Sequence, residues 1–285
     1  MSIRRAALAG LAGIFLILAS GAPAIAAERW DTLPEPGPMP TALRSGLAAV
    51  NDIQMYYAVY GTGSPVLLIH GGGGYADQWG AVVTDLSRDH EVIVADSRGH
   101  GRSTSSDLPL GYDLMASDYL ALLDFLDVKK VAVVGWSDGA NIGLDLALHH
   151  PERLTRLFAH SGNATVDGAL PLDMSKPTMT AIFERNSAAY VKLSPTPDKL
   201  EGLVNQLGAM WASEPNWSDA GLAAIDLPVT IAIGDHDEMV SLPHNRHLAE
   251  TIPGAHFVVL KDVSHFAIFQ DPVGYIAAVR EFLSD

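Results

Sequence analysis

Short apolar runs alternate with amphipathic stretches along most of this chain, and that rhythm limits its possible folds more than any other feature. Leu47–Val50 and Ile53–Tyr60, around the turn signal Asn51-Asp52, read as an antiparallel hairpin. Apolar strands are then expected at Pro65–His70, Glu91–Asp96, Lys130–Gly135, Leu154–His160, Val229–Gly234 and Phe257–Leu260. Between them, helical spacing marks Asp77–Ser87, Asp113–Leu126, Asp138–His149, His244–Thr251 and Val273–Leu283. Strands apolar along their whole length are covered on both faces, so the pattern predicts an α/β fold with a doubly wound, mostly parallel sheet. The rhythm fails over residues 163–225, where prolines, methionines and tryptophans accumulate. That stretch is expected to be an inserted lid, leaving 46–162 and 226–285 as the core.

Composition narrows the function classes. Thirty-three acidic residues against 18 Lys and Arg give a formal charge of −15, which would repel a phosphate backbone and argues against a nucleic-acid partner. The chain has no cysteine, hence no disulfide framework, zinc ribbon or thiol nucleophile. At the N-terminus Arg4 and Arg5 precede an uncharged run containing Ile14-Phe15-Leu16-Ile17-Leu18, followed by Ala24-Ile25-Ala26. Charge, apolar segment and small-x-small site in that order predict a signal peptide over residues 1–26 and an exported, periplasmic or secreted product without a stable membrane span after cleavage. Retention as an anchor is the alternative, weakened by Gly10, Gly13, Gly21 and Pro23. Residues 27–45, with Pro34, Pro36, Pro38 and Pro40, are expected to form a poorly ordered leader.

Three expected strand ends carry chemistry-bearing residues. Gly135-Trp136-Ser137-Asp138-Gly139 sits where a strand meets a helix. A serine on so tight a turn presents its hydroxyl at a helix N-terminus, and its neighbours two positions away must be small. A serine nucleophile needs a base, and the base needs orienting. His265 follows the last strand, and Asp237 follows the strand before it, with Asp235 as a competing orienter. His70-Gly71-Gly72-Gly73-Gly74 ends the first parallel strand. Its bare backbone can supply an oxyanion donor from Gly72, or alternatively Gly73, paired with the N–H of Asp138. The Asp138 carboxylate either disfavours anionic substrates or caps the helix start. Gly73, Trp136, Trp211, Met239 and Phe266 are candidate substrate contacts. A pair at His244 and His247 lacks a third ligand, so no metal is expected. Gly71-x-Gly73-x-x-Ala76, with Asp96 ending the next strand, also fits a dinucleotide fingerprint and would make the chain an NAD-dependent oxidoreductase. That alternative leaves Ser137, Asp237 and His265 without a task.

With these motifs in place, the chain resembles the α/β-hydrolase fold family. The likeness rests on His70–Gly74, the segment from Asp96 to Ser103, the Gly135–Gly139 turn, Gly234-x-x-Asp237 and Ser264-His265-Phe266, and it spans about residues 46–285. It implies Ser137 as nucleophile, His265 as base and then acid, Asp237 as orienting carboxylate, and no cofactor. A serine at the turn separates the chain from the dehalogenase and epoxide-hydrolase branches, which place aspartate there. The spelling Gly-Trp-Ser-Asp-Gly is similar to that of biphenyl-hydrolase-like members. The expected activity is hydrolysis of a small, largely apolar carboxylic ester. Lactone, amide or peptide and carbon–carbon bond hydrolysis are alternatives, and a non-catalytic binding protein of the same fold is a further one.

Overall fold

The computed structural model describes residues 27–284; the expected signal peptide lies outside the described residues. The strands are β1 (Arg44–Val50), β2 (Ile53–Tyr60), β3 (Ser64–Ile69), β4 (His90–Ala95), β5 (Val131–Trp136), β6 (Leu154–His160), β7 (Val229–Gly234) and β8 (His256–Leu260). They form one sheet in the order β1-β2-β4-β3-β5-β6-β7-β8. β2 pairs antiparallel with β1 and β4, and all other neighbours are parallel. The architecture is therefore the mostly parallel α/β sheet expected from the alternation.

Helices α1 (Gly80–Leu86), α2 (Tyr112–Phe125) and α3 (Asp138–His149) follow β3, β4 and β5 respectively. Between β6 and β7 lie α4 (Pro177–Leu193), α5 (Leu200–Trp211) and the single turn α6 (Asp219–Leu222); α7 (Leu242–Thr251), α8 (Ala267–Gln270) and α9 (Pro272–Ser284) complete the chain. The period of two along each strand splits the apolar residues between two cores. Val131 and Val133 of β5 face the core shared with α2 and α3, whereas Ala132, Val134 and Trp136 face the core built on α1 and α9. Burying both faces explains why β5 has no polar residue along its length.

The Asp96–Ser103 segment fixes the loop after β4. Arg98, 1% exposed, makes a two-pronged bond to Asp118 at 2.8 and 2.7 Å. Asp96 accepts from the amides of Ala76 and Arg102.

The proline-rich segment departs from expectation. Trp30 stacks on His236 with centroids 3.7 Å apart, Gln270 donates to the Thr32 carbonyl at 2.8 Å, and Arg185 donates to those of Leu33 and Pro34. Leu33, Met39 and Ala42 pack on the α1–α9 core. It is a strap bound to the fold rather than a poorly ordered leader, and β1 already begins at Arg44. Prolines lose little backbone entropy on ordering, and the side chains of Gln270 and Arg185 satisfy the carbonyls that an extended segment leaves unpaired. Among the described residues, no helix is long and apolar enough to cross a membrane.

Candidate active site

Parallel strands deliver their C-terminal ends to one edge, and the chemistry-bearing side chains collect there. Ser137 bridges β5 and α3 with φ 57° and ψ −122°, a left-handed conformation that serine seldom adopts. The turn closes because its flanks lack side chains: a Cβ on Gly135 would overlap the Gly139 backbone, and one on Gly139 would overlap the Ile69 carbonyl. Ser137 Oγ lies 3.6 Å from where a Cβ on Gly71 would stand.

His265 and Asp237 form a buried pair, with side chains 2% and 1% exposed. His265 Nδ1 lies 3.1 and 3.0 Å from the two carboxylate oxygens, so Nδ1–H donates and the Nε2 lone pair is left free. Asp237 is itself held by Ser161 Oγ at 2.6 Å and by the amides of Met239 and Val240 at 2.9 and 2.8 Å. Asp235, the competing orienter, instead faces Lys261 at 3.6 Å. Burial opposes an imidazolium at His265, but the Asp237 charge and hydrogen bond outweigh it and hold its pKa above the usual 6.5. Burial likewise disfavours ionised Asp237, and the His265 charge overcomes this to keep its pKa below 3.8. The carbonyl of His265 accepts from Trp136 Nε1 at 2.9 Å, which ties the loop after β8 to the residue before Ser137.

The two candidate amides of the glycine run differ in their hydrogen bonding. The Gly73 amide donates to His100 Nε2 at 3.0 Å and is unavailable to a substrate, whereas the Gly72 and Asp138 amides have no partner among the described residues. His100 can accept because burial pushes its pKa down to about 3, keeping it neutral, while its Nδ1–H is spent on the Arg98 carbonyl. Gly72 admits no larger residue, since a Cβ there would lie 2.6 Å from Trp211 Cζ2 and would collide with the Asp138 carboxylate.

Ser137, His265 and all five candidate contact residues (Gly73, Trp136, Trp211, Met239 and Phe266) line one cavity roofed by α4 and α5. No Asp, Glu, Lys or Arg lines it, and its volume is about 80 Å³.

A family model described as alpha/beta hydrolase fold matches residues 64–220. The chain belongs to the alpha/beta hydrolase family. A protein named "Putative carbamate hydrolase RutD" from Pseudomonas syringae pv. syringae is 28% identical over 260 residues, covering 80% of this chain and 97% of its own. The enol-lactonase of Burkholderia xenovorans LB400 has a similar structure (TM-score 0.68, 23% identity, 84% of this chain and 100% of that one). So does Est816, described as an N-acyl homoserine lactone degrading enzyme (TM-score 0.66, 26% identity, 84% and 100%). This alpha/beta hydrolase is thus a hydrolase by family and relatives.

The oxidoreductase alternative fails on Asp96. A fingerprint acid must reach a ribose, but this one is 0% exposed and committed to the amides of Ala76 and Arg102. Both sequence readings of Asp138 also need revision. Its carboxylate accepts from Tyr112 Oη at 2.9 Å and from Trp211 Nε1 at 3.0 Å, so it neither lines the cavity nor caps an amide. It joins the lid helix α5 to the Ser137 turn. Burial pushes this carboxyl up to about 6, against the lowering effect of bonds from Trp211 and Tyr112.

Asp138 gives the hydrolase a pH-dependent stability. Since its folded pKa exceeds 3.8, the native state holds the extra proton between pH 3.8 and about 6, and stability falls as pH rises through that window. Asp138→Asn removes this titration. Thermal melts followed by circular dichroism should show the wild-type midpoint falling relative to the variant's from pH 4 to pH 7; a constant offset between the curves would contradict the assignment.

Sequence reasoning missed Ser161, Tyr112, Gln78 and Asn186, and gave His100, inside the Asp96–Ser103 segment, no task. Each acts through a partner far away in the chain, and only His100 lies in a recognisable motif. A serine immediately after an expected strand was the one available hint, for Ser161.

Proposed function

We propose that this alpha/beta hydrolase is a serine hydrolase cleaving carboxylic esters of small, uncharged, largely apolar substrates through an acyl-enzyme. The observation that carries the reading is the buried Asp237–His265 pair on the same cavity as Ser137, a serine held at positive φ. His265 Nε2 takes the Ser137 proton as Oγ attacks the carbonyl carbon. Charge developing on the carbonyl oxygen meets the free amides of Gly72 and Asp138. The imidazolium then gives its proton to the departing alkoxide, and the alcohol leaves. Water, deprotonated by the same Nε2, attacks the acyl-enzyme, and the acid departs as the proton returns to Oγ. Ser137 and His265 form no hydrogen bond in this structure; such contacts are often long before substrate binds and tighten in the complex.

Two features support the substrate class. A wall without Asp, Glu, Lys or Arg offers no counter-ion to a charged acyl group, and the small free volume favours short chains. Lactones, which are cyclic esters, form the second reading, favoured by the likeness to Est816 at 26% identity. A fluorophosphonate probe should label the wild type stoichiometrically at Ser137. A panel of 4-nitrophenyl esters should show kcat/KM highest for short neutral acyl groups and at least tenfold lower for a dicarboxylic half-ester of equal length. Absence of labelling in an enzyme that still turns over esters would refute the serine mechanism.

A further inference from the structure

Two polar side chains of α4, Asn186 and Ser187, interrupt the apolar roof of the cavity, and Asn186 is the one tied to the body of the fold. Asn186, on the cavity side of α4, lies among Ile182, Phe183 and Tyr190. Its orientation follows from a short relay of hydrogen bonds. The Tyr75 amide, which can only donate, points at Gln78 Oε1 at 3.3 Å, and this turns the Gln78 Nε2 group toward the lid. Gln78, 3% exposed, donates from Nε2 to Asn186 Oδ1 at 3.0 Å. With its oxygen occupied in this way, Asn186 must present Nδ2 elsewhere, and Nδ2 lies 3.6 Å from where a Cβ on Gly73 would stand. Nδ2 donates to no protein group among the described residues. It is an aimed, unspent donor one residue beyond the Gly72 amide.

We infer that Asn186 is a specificity-determining residue that donates a hydrogen bond to an uncharged acceptor oxygen of the substrate, a few bonds from the scissile carbonyl. The inference rests on the serine-hydrolase reading of the same cavity. Gly72, Gly73 and Asn186 line the same cavity, so one small substrate with its carbonyl oxygen on the Gly72 amide can also offer an acceptor to Asn186. Ether, keto and amide oxygens qualify, whereas a hydrocarbon chain leaves the donor buried and unpaired. That loss is the physical basis of discrimination: a site built to hydrogen-bond a group rejects the analogue lacking it. The ligand class is therefore an ester or lactone carrying a second, neutral oxygen near the reacting carbonyl, not a plain alkyl ester.

Paired substrates that exchange one methylene for oxygen test this directly. The pairs are 4-nitrophenyl methoxyacetate with 4-nitrophenyl butanoate, and 2-methoxyethyl with butyl acetate, so that both sides of the ester are sampled. Each kcat/KM is divided by the substrate's own rate with hydroxide. Wild type should prefer the oxygen-bearing member of at least one pair by about three- to tenfold. Asn186→Leu should lose that preference. Asn186→Asp keeps the side-chain shape and the acceptor for Gln78 but has no donor, so it should lose the preference as well while remaining folded and labelled by the fluorophosphonate. Absence of any preference in wild type, or a preference retained in Asn186→Asp, overturns the inference while leaving the serine mechanism intact. Ester turnover that survives Ser137→Ala overturns the underlying reading, and the inference with it.

Discussion

Replacing Ser137 with alanine is expected to lower ester turnover roughly 10⁶-fold, the scale seen when the nucleophile of a serine triad is removed. Fluorophosphonate labelling should vanish with it. The fold should persist, because Ser137 is positioned by backbone bonds: its amide donates to the His160 carbonyl at 2.8 Å, and its carbonyl accepts from Ala140 and Asn141. Ser137→Gly should be equally inactive and also more stable. The φ of 57° is strained for serine and open to glycine. Releasing strain on the order of 1 kcal/mol should raise Tm by about 2–4 °C in a chain of this size. An inactive glycine variant that melts lower than wild type would show that the backbone at Ser137 stores no strain.

The second large effect is expected from Asp237→Asn, with turnover falling on the order of 10⁴-fold and the fold maintained. Asparagine keeps one oxygen for the Met239 and Val240 amides, but its NH2 group must face Ser161 Oγ or His265 Nδ1. The Ser161 hydroxyl can rotate to accept. Where the NH2 group faces Nδ1, the imidazole accommodates it by accepting there, which moves its proton to Nε2 and abolishes the base. The pH profile supplies a further reading of the same contact. In wild type, kcat/KM should rise with pH as His265 loses its proton, with a midpoint above 6.5, because the Asp237 charge outweighs burial. Without that charge, burial is opposed only by the smaller effects of the Glu238 and Asp138 charges, so the residual activity of the variant should have its midpoint below that of the wild type. A midpoint that does not move would mean that Asp237 does not set the charge of His265.

These two experiments address residues whose joint position was legible before any coordinates. A glycine two residues either side of Ser137 is a local steric requirement, and the serine–aspartate–histidine order follows strands recognisable from their own apolar runs. The proline-rich segment shows where such reasoning stops. Composition indicated an extended backbone and nothing about the Gln270, Arg185 and His236 surfaces that bind it. The choice between Gly72 and Gly73 was equally closed to inspection, since two adjacent glycines have identical local properties. His100, 27 residues away, consumes one amide and leaves the other free.

The alternation of strand and helix, and with it the parallel sheet and membership of the alpha/beta hydrolase family, was determined by the sequence alone. Those features arise from periodicities and turns within a few residues, where side-chain pattern and backbone geometry are directly linked. Only the tertiary structure decided which hydrogen-bonding groups remain unspent. The Asp138 carboxylate is consumed by Trp211, 73 residues on, and the Asn186 amide is turned toward the cavity by Gln78, 108 residues earlier. A buried donor or acceptor is satisfied by whatever the fold places beside it, and that pairing leaves no periodic trace in the chain.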